Sequence, residues 1–173
     1  MSVPPTLGRR RTVALERTFE ASIEEVWDLW TTKDGIESWW GPDGFAVEVR
    51  RLDLRPGGEL VYATTAVGRD QIAFMKNAGM PLTLETRVTY TEVDPPRRLA
   101  YSTLADFIPG VEPYRAATVV DLHPTADGVR LVLIQEAMHD EHWTQMAVKG
   151  WENELDRLAR VLKASDRAGL DEA

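Results

Sequence analysis

Apolar and polar residues alternate along several stretches of the chain, the first of which runs from Thr12 to Glu20. Val13, Leu15 and Phe19 share one phase of this stretch, and the other phase is mostly polar. A period of two residues is typical of a strand that buries one face. Six further strands are predicted, at residues 45–54, 59–66, 82–93, 99–106, 114–123 and 129–138. In the first of these six the apolar phase shifts, which predicts a β-bulge near Arg50-Arg51.

Two short helices are predicted between the first and the second strand. Ser22 and Glu25 form a capping-box pattern, in which each side chain accepts a hydrogen bond from the backbone N–H of the other residue. The apolar residues that follow recur at intervals of three and four, as on one face of a helix. The second helix is expected to end near Trp40, because Gly41-Pro42 does not continue a helix.

A long helix is predicted near the end of the chain. Asp140 is placed to cap it, and residues from Trp143 to Leu162 keep helical spacing. Gly150 lies inside this helix, where glycine costs about 1 kcal/mol relative to alanine. We therefore expect a strand residue or a ligand to approach the backbone of Gly150 closely.

The order of elements predicts an α+β domain: one strand, two short helices, six strands and a long helix. Strands joined by turns form an antiparallel sheet, and the helices must cover one of its faces. A long helix that lies in a curved sheet leaves a cavity between the two. We expect residues 11–163 to form this single domain, residues 1–10 to be a flexible tail and residues 164–173 to be a frayed tail.

Composition narrows the class of function. The chain has 173 residues, of which 43% are hydrophobic and 28% are charged, as in an ordinary globular domain. Its formal net charge of -8 disfavours a nucleic-acid surface, which needs clustered Lys and Arg. No apolar run is long enough to cross a membrane or to serve as a signal core, and cysteine is absent. These features predict a cytoplasmic protein with no membrane contact and no disulfide framework.

Several short motifs of the chain resemble those of a known family. They are Arg17-Thr18-Phe19, Ala21-Ser22, Val26-Trp27-Asp28-Leu29-Trp30-Thr31, Trp39-Trp40-Gly41-Pro42, Leu54-Arg55-Pro56-Gly57-Gly58, Pro95-Pro96-Arg97-Arg98-Leu99 and Gly150-Trp151. From about residue 11 to residue 163, the chain resembles the SRPBCC (START-like) superfamily. Within it, the chain is similar to the AHSA-type subgroup, which is named for activators of a heat-shock chaperone's ATPase. The resemblance implies a helix-grip fold, in which a curved antiparallel sheet of about seven strands surrounds the C-terminal helix.

The resemblance implies three alternatives for function, because one fold hosts many activities. The first is a binding protein that holds a small hydrophobic or aromatic molecule in the cavity between the sheet and the last helix. The second is an enzyme, cyclase-like or hydrolase-like, with acid–base groups in that cavity. The third is a chaperone-regulating interaction module with a role in stress response. We expect no cofactor, and a homodimer is one alternative for the oligomeric state.

Aromatic and methionine side chains are the candidates for the walls of the cavity. Residues 67–81 do not alternate and are predicted to be a loop with a helical turn at 71–77. This loop, Trp40 and Trp143 are expected to frame the opening of the pocket, because each lies where a helix or a loop meets the sheet. The predicted ligand-binding residues are Trp40, Phe74, Met75, Met80, Tyr101, Phe107, Trp143 and Trp151.

Three other residues bear on the chemistry of the chain. His139 and His142 lie close together, but no third imidazole is near in sequence, so no metal site is predicted. Either histidine is an acid–base candidate, and a solvated helix start is the alternative. Arg17 lies on the buried phase of the first strand. It is expected either to pair with a carboxylate such as Glu136 or to extend to the solvent at the rim of the sheet.

Overall fold

The computed structural model describes residues 10–106 and 108–171, without the side chains of residues 166–171. The strands are β1 (Thr12–Phe19), β2 (Phe45–Leu52), β3 (Glu59–Ala66), β4 (Thr83–Asp94), β5 (Arg98–Ala105), β6 (Tyr114–Pro124) and β7 (Val129–Glu136). The helices are α1 (Ile23–Thr31), α2 (Lys33–Trp39), α3 (Arg69–Asn77) and α4 (Glu141–Asp171). In the described part of the chain these strands form one sheet, with the order β1-β7-β6-β5-β4-β3-β2.

All six strand pairs of this sheet are antiparallel, and most join strands that follow each other in the chain. The exception is β1, which pairs with β7 and places Phe19 opposite Val129. The architecture confirms the predicted α+β helix-grip fold. The predicted bulge is also confirmed, because the register of β2 against β3 shifts between Val49 and Arg51.

Local hydrogen bonds set the starts of α1 and α2 as the sequence predicts. The Ser22 hydroxyl accepts from the Glu25 backbone N–H at 3.1 Å, and the Glu25 carboxylate accepts from the Ser22 N–H at 3.2 Å. Thr32 then caps α2 by accepting from the Gly35 N–H at 3.1 Å. Trp40 is the C-cap of α2, so this helix ends where Gly41-Pro42 begins.

The capping box of α1 gives a direct test of this local structure. Replacing Ser22 by alanine should lower the free energy of unfolding by about 1 kcal/mol, because the Glu25 N–H loses its acceptor. Chemical denaturation measures the change. Ser22→Asp is the matched control, since aspartate also caps helices, and it should retain most of the stability. An alanine variant as stable as the unchanged protein would contradict a stabilising cap.

Two of the observed helices extend beyond the sequence prediction. Residues 69–77 form a full helix, α3, where a loop with only a helical turn at 71–77 was expected. Asp140 caps α4 as predicted, since its Oδ1 accepts from the Trp143 N–H at 2.8 Å. Helix α4 runs to Asp171, past residue 163, and residues 164–171 contain no proline that would end it. Within the described residues, no helix is both long and apolar enough to span a membrane.

The core between the sheet and the helices is rich in tryptophan. Trp30 is 1% exposed and Trp39 is fully buried. Trp30 stacks on Trp151 of α4 with ring centroids 5.7 Å apart, and it meets Trp39 edge to face at 4.7 Å. This cluster joins α1, α2 and α4, so it fixes the position of α4 over the sheet.

Candidate functional site

A cavity of about 200 Å³ lies between the concave face of the sheet and the first half of α4. Strands β3, β5, β6 and β7 form one side of it, and α4 forms the other. Its lining residues are Tyr62, Thr103, Ala105, Ala116, Thr118, Gln135, Met138, Ala147, Gly150, Trp151 and Glu154. The small side chains among them leave room beside the helix.

Gly150 is the residue that opens this cavity on the helix side. No atom outside the local helix backbone and the adjacent residues lies within 4 Å of the place where a Cβ would be. The expectation that a strand residue packs closely against Gly150 is therefore wrong. Any larger side chain would extend from this position into the cavity. The absence of a side chain at Gly150 is what keeps the space free.

Trp151 contributes both an aromatic wall and a fixed polar group. One hydrogen bond joins its indole Nε1 to Oε1 of Gln135, at 3.1 Å. The same oxygen accepts from the Thr118 hydroxyl at 2.6 Å. Because Gln135 and Thr118 lie on the paired strands β7 and β6, these bonds hold the Trp151 ring against the sheet. Of the predicted ligand-binding residues that the structure describes, Trp151 is the one that lines the cavity.

Glu154 is the carboxyl group of the cavity. Its Oε1 accepts from the backbone N–H of Gly41 at 2.9 Å. Burial raises the pKa of the Glu154 carboxyl to about 7, although the hydrogen bond from Gly41 and the charge of Arg157 lower it. Near neutral pH this carboxyl therefore exists in both its charged and its neutral form.

The backbone of Gly41 is held by α4 from two sides. Glu154 accepts from its N–H, and Arg157 donates from Nη1 to its carbonyl oxygen at 2.7 Å. Gly41 has a φ of 86°, and a Cβ there would lie 2.9 Å from Cγ2 of Val47. Only glycine fits this position without strain. The Trp-Trp-Gly-Pro stretch thus ties the end of α2 to the helix that covers the cavity.

Trp40 does not line the cavity but packs against a residue that does. It is 6% exposed and meets Tyr62, a lining residue, edge to face at 5.2 Å. Tyr101 is 2% exposed, and its ring centroid is 6.3 Å from that of Trp40. Burial raises the pKa of both Tyr62 and Tyr101, and the charge of Glu154 contributes to the rise. Trp40 and Tyr101 therefore support the wall that Tyr62 presents to the cavity.

The other predicted site residues lie elsewhere or are not described. Phe74 and Met80 are exposed, at 65% and 36%, and Met75 is buried at 5%. None of these three is among the lining residues, so the structure does not bring the α3 region together with Trp151. Trp143 is half-buried at the start of α4, close to His139 at 6.2 Å between ring centroids. Phe107 lies outside the described residues.

Arg17 and the two histidines also have defined surroundings. Arg17 pairs with a carboxylate as predicted, but the partner is Asp156 of α4, at 3.6 Å, and the suggested partner Glu136 is wrong. Glu136 instead accepts from the Ala117 N–H at 2.8 Å. His139 Nδ1 is 3.0 Å from the Tyr114 hydroxyl. In residues 10–106 and 108–171, no group of three or more His, Asp or Glu is placed to hold a metal ion.

The sequence prediction missed five residues of the cavity that carry polar groups, namely Tyr62, Thr103, Thr118, Gln135 and Glu154. For Glu154 a signal was present. It follows Gly150 by four residues and Trp151 by three, so helical spacing places it on the apolar face of α4. A carboxyl on an apolar face is a candidate for a functional group. The tyrosine and the two threonines carry no comparable signal, because Tyr and Thr are common in strands of any kind.

Comparison with known proteins agrees with this fold. The family model described as Activator of Hsp90 ATPase homolog 1-like protein matches residues 20–163. A solved protein from Chromobacterium violaceum is 23% identical, with 88% of this chain and 97% of that chain covered and a TM-score of 0.70. An AHSA1-like protein from Aeromonas hydrophila is 22% identical, with 90% and 94% covered and a TM-score of 0.71.

A third structure, the AHSA1 protein from Silicibacter pomeroyi, is 18% identical, with 90% of this chain and 99% of that chain covered and a TM-score of 0.69. Likeness at these identities shows the shared fold. Among the curated proteins, none matches this chain. The family model, however, covers most of the chain and includes the Trp-Trp-Gly-Pro stretch as well as the cavity-lining part of α4. The chain therefore belongs to the family of Activator of Hsp90 ATPase homolog 1-like proteins.

Proposed function

We propose that this protein binds a small hydrophobic or aromatic molecule in the cavity between the sheet and α4. The observation that carries the proposal is the open space beside Gly150, in a helix where glycine is unfavourable. A glycine that lowers helix stability without making room for a neighbouring residue needs another reason. Room for a ligand is such a reason.

The size and the walls of the cavity support a ligand with one or two rings. An apolar cavity of about 150 Å³ accommodates benzene in another protein, and this cavity measures about 200 Å³. Trp151 and Tyr62 offer aromatic surface, while Ala105, Ala116 and Ala147 offer small apolar surface. A few polar groups among apolar walls are the common form of a small-molecule site.

An enzyme is the second candidate function, and Glu154 is the observation that favours it. A carboxyl with a pKa of about 7 is suited to accept or donate a proton near neutral pH. It lies in the cavity, where a bound molecule would be within its reach. The two candidates are distinguished by incubating the protein with a bound molecule and analysing it by mass spectrometry. A changed mass, or a changed NMR spectrum of the molecule, would indicate a reaction, since a cyclisation can leave the mass unchanged. The absence of both changes would indicate binding alone.

Filling the space at Gly150 tests the proposed function. Replacing Gly150 by leucine should abolish binding of 2-phenylethanol, a neutral probe with one ring, because the new side chain occupies the cavity. Binding is measured by titration with two-dimensional NMR, which resolves the indole N–H signals, including that of Trp151. Gly150→Ala should raise the free energy of unfolding by about 0.5–1 kcal/mol, because alanine is the better helix former and its Cβ meets open space.

Lys149→Leu is the matched control for this experiment. It adds the same side chain at the preceding position of α4, where the residue is exposed and does not line the cavity. This variant should bind the probe as the unchanged protein does. If Gly150→Leu also retains the binding, the cavity at Gly150 is not the ligand site.

A further inference from the structure

We propose that the ligand of the cavity is a small aromatic amine, whose cationic group binds the Glu154 carboxylate while its ring lies beside Gly150 and Trp151. The inference rests on the proposed function, because it assigns the chemical class of the molecule held in that cavity. Its basis is the position of Glu154, the hydrogen bonding of its two carboxyl oxygens and the charged groups around the cavity.

Glu154 presents one free oxygen to the cavity. Its Oε1 accepts from the Gly41 N–H, whereas its Oε2 makes no hydrogen bond within the described residues. The side chain lies one helical turn after Gly150, on the same face of α4, and both residues line the cavity. A ligand whose ring fills the space at Gly150 therefore has an acceptor oxygen within one turn of the helix.

The charged groups around the cavity favour a cation as the ligand. Glu154 is the acidic lining residue, and the described lining contains no Lys, Arg or His. Arg157 is the nearest cation on α4, but its Nη1 donates to the carbonyl oxygens of Gly41 and Pro42, at 2.7 and 3.3 Å. No ion pair within 4.0 Å joins Arg157 to Glu154 in the described chain, so the carboxylate has no direct cationic partner.

Glu154 is half-buried, and a carboxylate that has lost part of its solvent is stabilised by a cation. An amine would supply this charge together with up to three N–H donors for the free oxygen. A ligand with its own carboxylate would instead be repelled by Glu154. The groups that interact electrostatically with Glu154 are Arg157 on α4 and the Tyr62 and Tyr101 hydroxyls on β3 and β5, and the Gly41 N–H donates to it. The tyrosines stay neutral below pH 9, because burial raises the pKa of each. Glu154 is then the group whose titration changes the charge of the cavity around neutral pH.

Three probes that share a phenyl ring and differ in charge test the proposal. They are 2-phenylethylamine, 2-phenylethanol and phenylacetate, each titrated at pH 8 by NMR as described for Gly150. The amine should bind roughly tenfold more tightly than the alcohol, because a charge-assisted hydrogen bond is stronger than a neutral one. Phenylacetate should bind more weakly than the alcohol. At pH 6 the amine should bind several-fold more weakly than at pH 8, since the Glu154 carboxyl is then mostly protonated.

Glu154→Gln removes the charge and keeps an acceptor for the Gly41 N–H. In this variant the amine and the alcohol should bind with affinities that agree within about twofold. Glu152→Gln is the matched control, because it removes a charge from an exposed position of the same helix. It should keep the preference for the amine. The pH dependence in the unchanged protein provides the same test if Glu154→Gln does not fold. Equal binding of amine and alcohol by the unchanged protein would overturn the amine proposal and leave the proposed function intact. Binding of none of the three probes would overturn both.

Discussion

Replacing Trp30 by alanine is expected to lower the free energy of unfolding by about 3–5 kcal/mol, the range for a large buried aromatic side chain. Trp30 is 1% exposed and stacks on Trp151, and it meets Trp39 and Trp40 edge to face. Its removal leaves a cavity at the point where α1, α2 and α4 meet. Urea denaturation followed by circular dichroism measures the change.

Trp30→Phe is the graded control for this prediction. The indole Nε1 of Trp30 is buried, and no hydrogen-bond partner for it exists among the described residues. Phenylalanine removes this unsatisfied donor and keeps much of the aromatic contact, so the loss should be about 1 kcal/mol. A loss of less than about 1 kcal/mol for the alanine variant would show that the tryptophan cluster does not hold α4 on the sheet.

The elements of this fold could be predicted because their signals are local. The capping box at Ser22 and Glu25 uses residues three apart, and the positive φ at the Gly41-Pro42 turn is indicated by the glycine itself. The alternation of β1, in which every second residue is exposed, follows from a strand that buries one face. Each of these signals lies within a few residues of the feature that it determines, so one sequence is enough to read it.

The site was harder to predict, because it depends on contacts between residues far apart in the chain. Glu154 and Gly41 are 113 positions apart, and neither residue type indicates the hydrogen bond that joins them. The predicted role of Phe74 and Met80 rested on the loop lying beside the cavity. Residues 69–77 instead form a helix, and both Phe74 within it and Met80 after it are exposed. A helix was difficult to foresee there, because Gly68 provides no side-chain cap hydrogen bond.

The stability of the protein is expected to fall between pH 5 and pH 8 because of Glu154. In the folded chain burial raises the pKa of this carboxyl to about 7, whereas its ordinary value is 4.5. Between these two values the folded state holds a proton that the unfolded state has mostly lost. Stability therefore decreases as the pH rises through this interval, and the decrease is complete above the folded pKa. For this one carboxyl the expected decrease from pH 5 to pH 8 is about 2–3 kcal/mol.

Comparison with Glu154→Gln isolates this effect from the other titrating groups. The variant cannot lose a proton at this position, and glutamine still accepts from the Gly41 N–H. Urea denaturation at several pH values should therefore show the variant gaining about 2–3 kcal/mol on the unchanged protein as the pH rises from 5 to 8. Glu152→Gln, which removes an equal charge from an exposed position of α4, controls for the change in net charge. A constant difference between Glu154→Gln and the unchanged protein would mean that the cavity carboxyl is as well solvated as one on the surface. The cavity would then be an open, water-filled cleft and a poor site for an apolar ligand, because water would compete for both the carboxylate and the walls.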